Sequence, residues 1–170
     1  MNGERVEQGC CGGSTQEGGC GSDRPPSTAA SEPEDGAARS CCADRVKGYF
    51  REVAHEWDRM RQSYFTDEVR NAAIARAGID RDSVVADVGT GTGFMLLGIA
   101  PLVGRAYGFD SSPEMLEVAR DNLSGLDNVE LRTSEGTCLP LPANALDAVF
   151  ANMYLHHAPD PAGAIAEMAR

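Results

Sequence analysis

The feature that most constrains this chain is a run of alternating glycines that directly follows a short apolar segment. Val84–Val88 is rich in β-branched residues, which predicts a strand buried on both faces. Gly89, Gly91 and Gly93 follow at once, and residues 94–100 then have the pattern of a short helix. A strand, a glycine turn and a helix bring backbone N–H groups close to a ligand at the carboxyl end of the strand. The sequence therefore predicts an α/β fold with a ligand site at this turn.

The spacing of the glycines distinguishes between classes of ligand. A dinucleotide fingerprint requires Gly-x-Gly-x-x-Gly, and Phe94 stands where the last glycine would be. Nucleotide-dependent oxidoreduction is therefore disfavoured. The pattern present is Asp87-x-Gly-x-Gly-x-Gly, and about twenty residues later a second predicted strand ends in Asp110. A carboxylate at that place is suited to accept hydrogen bonds from both hydroxyls of a ribose.

These residues resemble the class I S-adenosylmethionine-dependent methyltransferases. The first motif of that family matches Asp87 to Gly93, and its second motif ends in the acid matched by Asp110. The resemblance covers Val46 to Arg170 and implies a Rossmann-like α/β fold with a helical lid before the sheet. It further implies an enzyme that transfers a methyl group from S-adenosyl-L-methionine to a small-molecule acceptor, which the sequence does not identify.

The resemblance also implies a set of cofactor contacts. Asp87 and the glycine turn would hold the methionine end, Asp110 the ribose, and Met115 with Glu135 the adenine. Glu135 stands where the family usually has Asp, and the residue before it is Ser134 instead of glycine. The expected cofactor-binding residues are Tyr49, Asp87, Gly89, Thr90, Gly91, Gly93, Asp110, Ser111, Met115, Glu135, Gly136 and Asn152.

Two adjacent histidines follow the fourth predicted strand, in the segment Asn152-Met153-Tyr154-Leu155-His156-His157. This segment resembles the branch of the family that contains ubiquinone, menaquinone and arsenite methyltransferases. His156 or His157 is a candidate general base, because an unperturbed histidine titrates near neutral pH. The alternative is that these histidines only orient the loop by hydrogen bonding.

The segment before the first strand predicts a helical lid. Apolar residues at three- and four-residue spacing predict one amphipathic helix from about Arg45 to Arg61. A second helix follows Thr66, a candidate N-cap, and Gly78 lies past its end. In the family an aromatic residue near the start of the lid often meets the cofactor, and Tyr49 has the matching place. The alternative for this tyrosine is a core position at helical spacing, and a core position is the preferred interpretation of Trp57.

Residues 1–43 form a different kind of sequence, rich in Gly, Ser, Pro and acids, which we expect to be a disordered tail. This tail nevertheless holds five of the six cysteines: Cys10, Cys11, Cys20, Cys41 and Cys42. Adjacent cysteines bridge to each other only with strain, so a disulfide framework is not expected. Either the tail is passive, or the two adjacent pairs bind a soft metal or metalloid ion such as arsenite. A thiol-rich metalloid-binding protein or an arsenite methyltransferase is therefore the alternative function.

The charge and the apolar segments of the chain indicate which partners and which location to expect. A formal net charge of −11 and a pI near 4.6 argue against nucleic acid or an anionic membrane as partner. No apolar run is long enough to span a bilayer and no signal-like leader opens the chain, so we expect a cytoplasmic protein of undetermined oligomeric state. Residues 44–170 would form the cofactor-binding domain. Because family members continue with further strands beyond this point, we expect that domain to be incomplete at its C-terminus.

Overall fold

A parallel β-sheet lies at the centre of the computed structural model, which describes residues 48–170. Its strands are β1 (Val84–Val88), β2 (Arg105–Asp110), β3 (Val129–Thr133) and β4 (Ala148–Phe150). Their order is β3-β2-β1-β4, and every neighbouring pair is parallel. The predicted Rossmann-like α/β fold is confirmed. Because β1 and β2 are neighbours, their carboxyl ends meet at one edge of the sheet.

Helices lie before the first strand, between strands and after the last strand. They are α1 (residues 48–53), α2 (Trp57–Arg61), α3 (Asp67–Ala77), α4 (Phe94–Ile99), α5 (Pro113–Asn122) and α6 (Pro161–Met168). Two short 3-10 turns, Ala54–Glu56 and Ala100–Leu102, follow α1 and α4. In the described range no helix is long and apolar enough to cross a membrane.

Local capping residues set several helix ends where the sequence predicts them. The Ser112 hydroxyl accepts a hydrogen bond from the Met115 N–H at 3.2 Å, and Pro113 occupies the first turn of α5. Gly78 ends α3 in the left-handed conformation, at φ 65°. Thr66 stands at the N-cap of α3, but its side chain makes no capping hydrogen bond.

Two predicted elements differ in the structure. The single lid helix expected to run to Arg61 is interrupted by the 3-10 turn at Ala54–Glu56, which packs against α5 and buries Ala54. This contact with α5 outweighs the helical periodicity of the sequence. The fourth strand is shorter than the predicted 145–152. Before it begins, the Asp147 carboxylate accepts the Val84 N–H at 2.8 Å, so a side chain takes over one place in the strand ladder.

The sheet is buried on both faces, as the β-branched run predicts. Val85 and Ala106 face a core cluster that includes Leu96 and Ile99 of α4. Ala86 faces the opposite cluster, together with residues of β2 and of the segment before β4. Successive residues of β1 therefore point into different cores, as the alternation of side chains along a strand requires.

Gly108 lies in the middle of β2, where the sheet packs tightly against α4, and a substitution there can test this packing. A Cβ at this position would lie 2.5 Å from Leu131 Cδ2 and 2.7 Å from Leu96 Cδ1. We expect Gly108→Ala to lower the free energy of unfolding by about 1–3 kcal/mol through overpacking, as measured by urea denaturation. Gly125→Ala is the matched control, because a Cβ at Gly125 meets nothing within 4 Å. Equal stability of the two variants would contradict this packing.

Candidate active site

A cleft of about 640 Å³, including its open mouth, lies at the carboxyl ends of β1 and β2. The glycine turn and Asp87 line its floor, and Met115 of α5 lines it as well. Residues of α1 and α2 line the cleft from the lid, among them Phe50 and Trp57. A parallel α/β sheet binds ligands at this edge of its strands, which makes the cleft the candidate active site.

The glycine turn is held by β2. The N–H groups of Gly89 and Thr90 both donate to the Phe109 carbonyl, at 2.8 and 3.0 Å. Gly89, Gly91 and Gly93 have φ of 72°, 54° and 87°, where any other residue is strained. The backbone conformation of the turn therefore requires glycine at these positions, two of which, Gly89 and Gly91, line the cleft.

Asp110 ties the turn to the start of α5. Its Oδ2 accepts the Gly91 N–H and its Oδ1 accepts the Ser112 N–H, each at 2.8 Å. Burial raises the pKa of Asp110, while these backbone hydrogen bonds act in the opposite direction. A carboxylate oxygen has two lone pairs, so each oxygen can still accept a ribose hydroxyl. The predicted place of Asp110 beside the glycine turn thus agrees with the geometry.

Asp87 is the group in the cleft that most clearly lacks a partner. It is 1% exposed, and in the described part of the chain neither of its oxygens nor the nearby Thr90 hydroxyl accepts or donates a hydrogen bond of normal geometry. Burial raises the pKa of Asp87 to about 7; the adjacent Thr90 moderates this and the charge of Asp110 adds to it. A buried carboxylate without a partner is costly, so a cationic ligand group would supply what the site lacks. The α-ammonium group of S-adenosylmethionine fits this requirement.

Apart from Tyr49, the other residues predicted to bind the cofactor fall into three groups. Asn152 lines the main cleft, and Ser111, Glu135 and Gly136 line an adjoining pocket of about 540 Å³. Gly93 supports packing instead, because a Cβ there would lie 2.7 Å from Leu123 Cδ1.

Tyr49 lies outside both pockets and is 47% exposed. Its neighbour Phe50 lines both of them, and the two rings meet edge to face at 5.5 Å. Trp57, for which a core position is the simpler interpretation of the sequence, lines the main cleft.

Tyr154 is a residue of the site to which sequence reasoning assigned no role. It lines both pockets. A Cβ on Gly89 would lie 2.6 Å from Tyr154 Cδ2, and a Cβ on Gly136 would meet the phenol end of the same ring. The ring therefore stands between the glycine turn and the predicted adenine loop. Its place in the loop that follows β4, four residues after Phe150, is the signal that could have identified it.

The two histidines have different surroundings. His156 is exposed, whereas His157 lines the cleft and meets the Phe50 ring edge to face at 5.0 Å. Burial, and then the charge of His156, lowers the pKa of His157. A neutral imidazole at this position can accept a proton. His157 is thus better placed than His156 for the predicted role of a general base.

The candidate metalloid ligands Cys10, Cys11, Cys41 and Cys42, together with Cys20, lie outside the described residues. Within residues 48–170, no three His, Cys, Asp or Glu side chains come together in a way that could hold a metal ion.

Comparison with known proteins gives a consistent result. Residues 86–170 match the family model described as a methyltransferase domain. The chain is 30% identical over 128 residues to the demethylmenaquinone methyltransferase of Tropheryma whipplei. The matched region covers 74% of this chain and 53% of that protein. The chain thus spans about half the length of the curated relatives it matches.

Solved structures agree with this similarity. An S-adenosylmethionine-dependent methyltransferase from Aquifex aeolicus superposes with a TM-score of 0.60 at 29% identity, covering 73% of this chain and 65% of that one. DhpI, solved as a complex with S-adenosylhomocysteine, superposes with a TM-score of 0.55 at 30% identity, covering 65% of this chain and 52% of that one.

The burial of Asp87 predicts a specific dependence of stability on pH. Between about pH 4 and pH 7 the folded state keeps a proton on Asp87 that the unfolded chain releases, so this carboxyl makes the folded state less stable as pH rises. We compare the free energy of unfolding of Asp87→Asn with that of the unaltered chain, measured by urea unfolding at each pH. We expect the difference in favour of the variant to grow by roughly 2–4 kcal/mol from pH 4 to pH 8. The exposed Asp127→Asn serves as the control. Parallel pH profiles for Asp87→Asn and the unaltered chain would contradict the burial of an unpaired carboxyl.

Proposed function

Because this chain belongs to the class I S-adenosylmethionine-dependent methyltransferases, we propose that it transfers the methyl group of this cofactor to a small-molecule acceptor. The observation that carries the proposal is the buried, unpaired Asp87 beneath the glycine turn. A carboxylate in this state needs a cationic ligand group, and the cofactor carries one on its methionine end. Gly89 and Gly91 line the cleft and, without side chains, leave room for the rest of that end.

Each part of the cofactor has a proposed place. Asp87 and the turn bind the methionine end, and Asp110 binds the ribose hydroxyls while it keeps its two backbone hydrogen bonds. Met115 packs on the adenine ring, which its buried position on the cleft wall permits. Glu135 and Gly136 meet the edge of the adenine from the adjoining pocket.

The chemistry asked of the protein is mainly positioning. When bound, the sulfonium of the cofactor supplies a methyl group that is already electrophilic. The chain's own task is to hold donor and acceptor in line and to keep water away from them. Phe50 and Trp57, whose rings are 5.2 Å apart, form an apolar roof for that purpose. His157 accepts the proton that an acceptor loses on methylation.

The lid end of the cleft favours a class of acceptor. Phe50, Trp57 and Phe65 line this end. Aromatic side chains bind apolar and aromatic surfaces through burial and ring contacts. We therefore propose an acceptor with an apolar or aromatic body that enters beneath the lid.

The cofactor assignment is tested by calorimetric titration of the chain with S-adenosylhomocysteine and with NAD. We expect S-adenosylhomocysteine to bind in preference to NAD, because the glycine spacing does not fit a dinucleotide. Asp110→Ala should weaken binding by about 1–3 kcal/mol, since it removes a charge-assisted acceptor and loosens the Gly91 N–H. The exposed Asp121→Ala, on α5, is the control.

Two results would count against the assignment. Tighter binding of NAD than of S-adenosylhomocysteine would exclude the proposed cofactor site. Binding by Asp110→Ala that equals the unaltered chain would remove this carboxylate from the site.

A further inference from the structure

Arg61 of the lid helix α2 reaches into the cleft, although no motif of the sequence singles it out. Its side chain is only 15% exposed, and its guanidinium carbon lies 3.7 Å from the centre of the Phe94 ring. Phe94 is the first residue of α4, directly after the glycine turn. Arg61 is therefore stacked at the end of the cleft that the turn forms.

Asp58 holds Arg61 in this position. The Arg61 Nε donates to Asp58 Oδ1 at 3.1 Å. The same carboxylate accepts the Thr92 hydroxyl at 2.7 Å and the Asn122 amide at 2.9 Å. Because Thr92 belongs to the glycine turn and Asn122 ends α5, Asp58 fastens the lid to both elements. The arginine is thereby fixed before any ligand arrives.

The outer nitrogens of Arg61 are left available. Within residues 48–170, no acceptor forms a hydrogen bond with either of its terminal nitrogens. The other basic side chain that lines the described cleft is His157, whose pKa is lowered by burial and by the charge of His156, which favours its neutral form. The cleft therefore presents one fixed positive group at its lid and, on its floor, the unpaired carboxylate of Asp87.

The guanidinium on one wall keeps its terminal nitrogens available while its Nε pairs with Asp58, and the carboxylate on the other wall has no partner. A cleft with these two groups suits a zwitterion. We propose that Arg61 binds the α-carboxylate of the cofactor's methionine end, with Asp58 as its positioning residue. The proposal rests on the proposed function and deepens it, since Asp87 then takes the α-ammonium group of the same moiety. A planar guanidinium matches a carboxylate with two parallel hydrogen bonds, and stacking on Phe94 fixes its plane.

The ligand pair that isolates this contact is S-adenosylmethionine and its decarboxylated form, which keeps the amine and lacks only the carboxylate. We expect the unaltered chain to bind S-adenosylmethionine more tightly than the decarboxylated form in calorimetry. Arg61→Gln should weaken binding of S-adenosylmethionine about 10- to 100-fold and change the affinity for the decarboxylated form less than about threefold. Arg61→Lys should lose less affinity for S-adenosylmethionine than Arg61→Gln, because lysine keeps the positive charge but cannot form the two parallel hydrogen bonds of a guanidinium.

Two further variants complete the test. Asp58→Asn should weaken S-adenosylmethionine selectively but less than Arg61→Gln, because it loosens the arginine without removing it. Arg59→Gln is the matched control, since Arg59 lies on the same helix with its side chain 80% exposed and pairs with Glu56 outside the cleft. It should bind both ligands as the unaltered chain does.

Other outcomes would overturn the assignment. Equal weakening of both ligands in Arg61→Gln and Arg61→Lys would show that the arginine only supports the lid. Unchanged affinity for S-adenosylmethionine in Arg61→Gln would also exclude this contact. An unaltered chain that binds neither ligand would overturn the proposed function itself, which is a distinct result from loss in the variants alone.

Discussion

The site depends first on one carboxylate, that of Asp110, which accepts the N–H groups of Gly91 and Ser112 at 2.8 Å each. These two groups belong to different elements, the turn after β1 and the start of α5. A single residue at the end of β2 therefore fixes the relative positions of three elements around the cleft. The backbone donors also offset part of the cost of burying its charge. The cleft consequently has a floor that is fixed by backbone hydrogen bonds.

Elements that local sequence specifies are those that the sequence predicts well. The β-branched run of β1, the glycines after it, and the Ser112-Pro113 start of α5 each determine backbone geometry within a few residues. The break in the lid at Ala54 and the short β4 follow different causes. Ala54 is buried against α5, and Asp147 bonds to Val84, 63 residues away. Contacts between distant segments leave no periodic trace, so these boundaries could not be read from the sequence.

The same distinction applies to the site. Asp87, Asp110 and Met115 are tied to the turn and to the start of α5, and the motif locates them. Phe50 and Arg61 belong to the lid, which long-range contacts hold over the cleft, among them the hydrogen bond from Thr92 to Asp58 across 34 residues of sequence. Neighbouring helical residues point about 100° apart, so the sequence could not decide between Tyr49 and Phe50 without the orientation of the lid.

The position of the Tyr154 ring between Gly89 and Gly136 has a kinetic consequence. Because the ring lines both the main cleft and the adjoining pocket, a ligand that spans the two can enter only when this ring has moved aside. The measured dissociation constant then equals the intrinsic constant divided by the fraction of molecules that are open, so one open molecule in about a hundred would weaken apparent affinity about a hundredfold. Association would be limited by the opening of one side chain and its loop, and release of the spent cofactor would wait on the same movement.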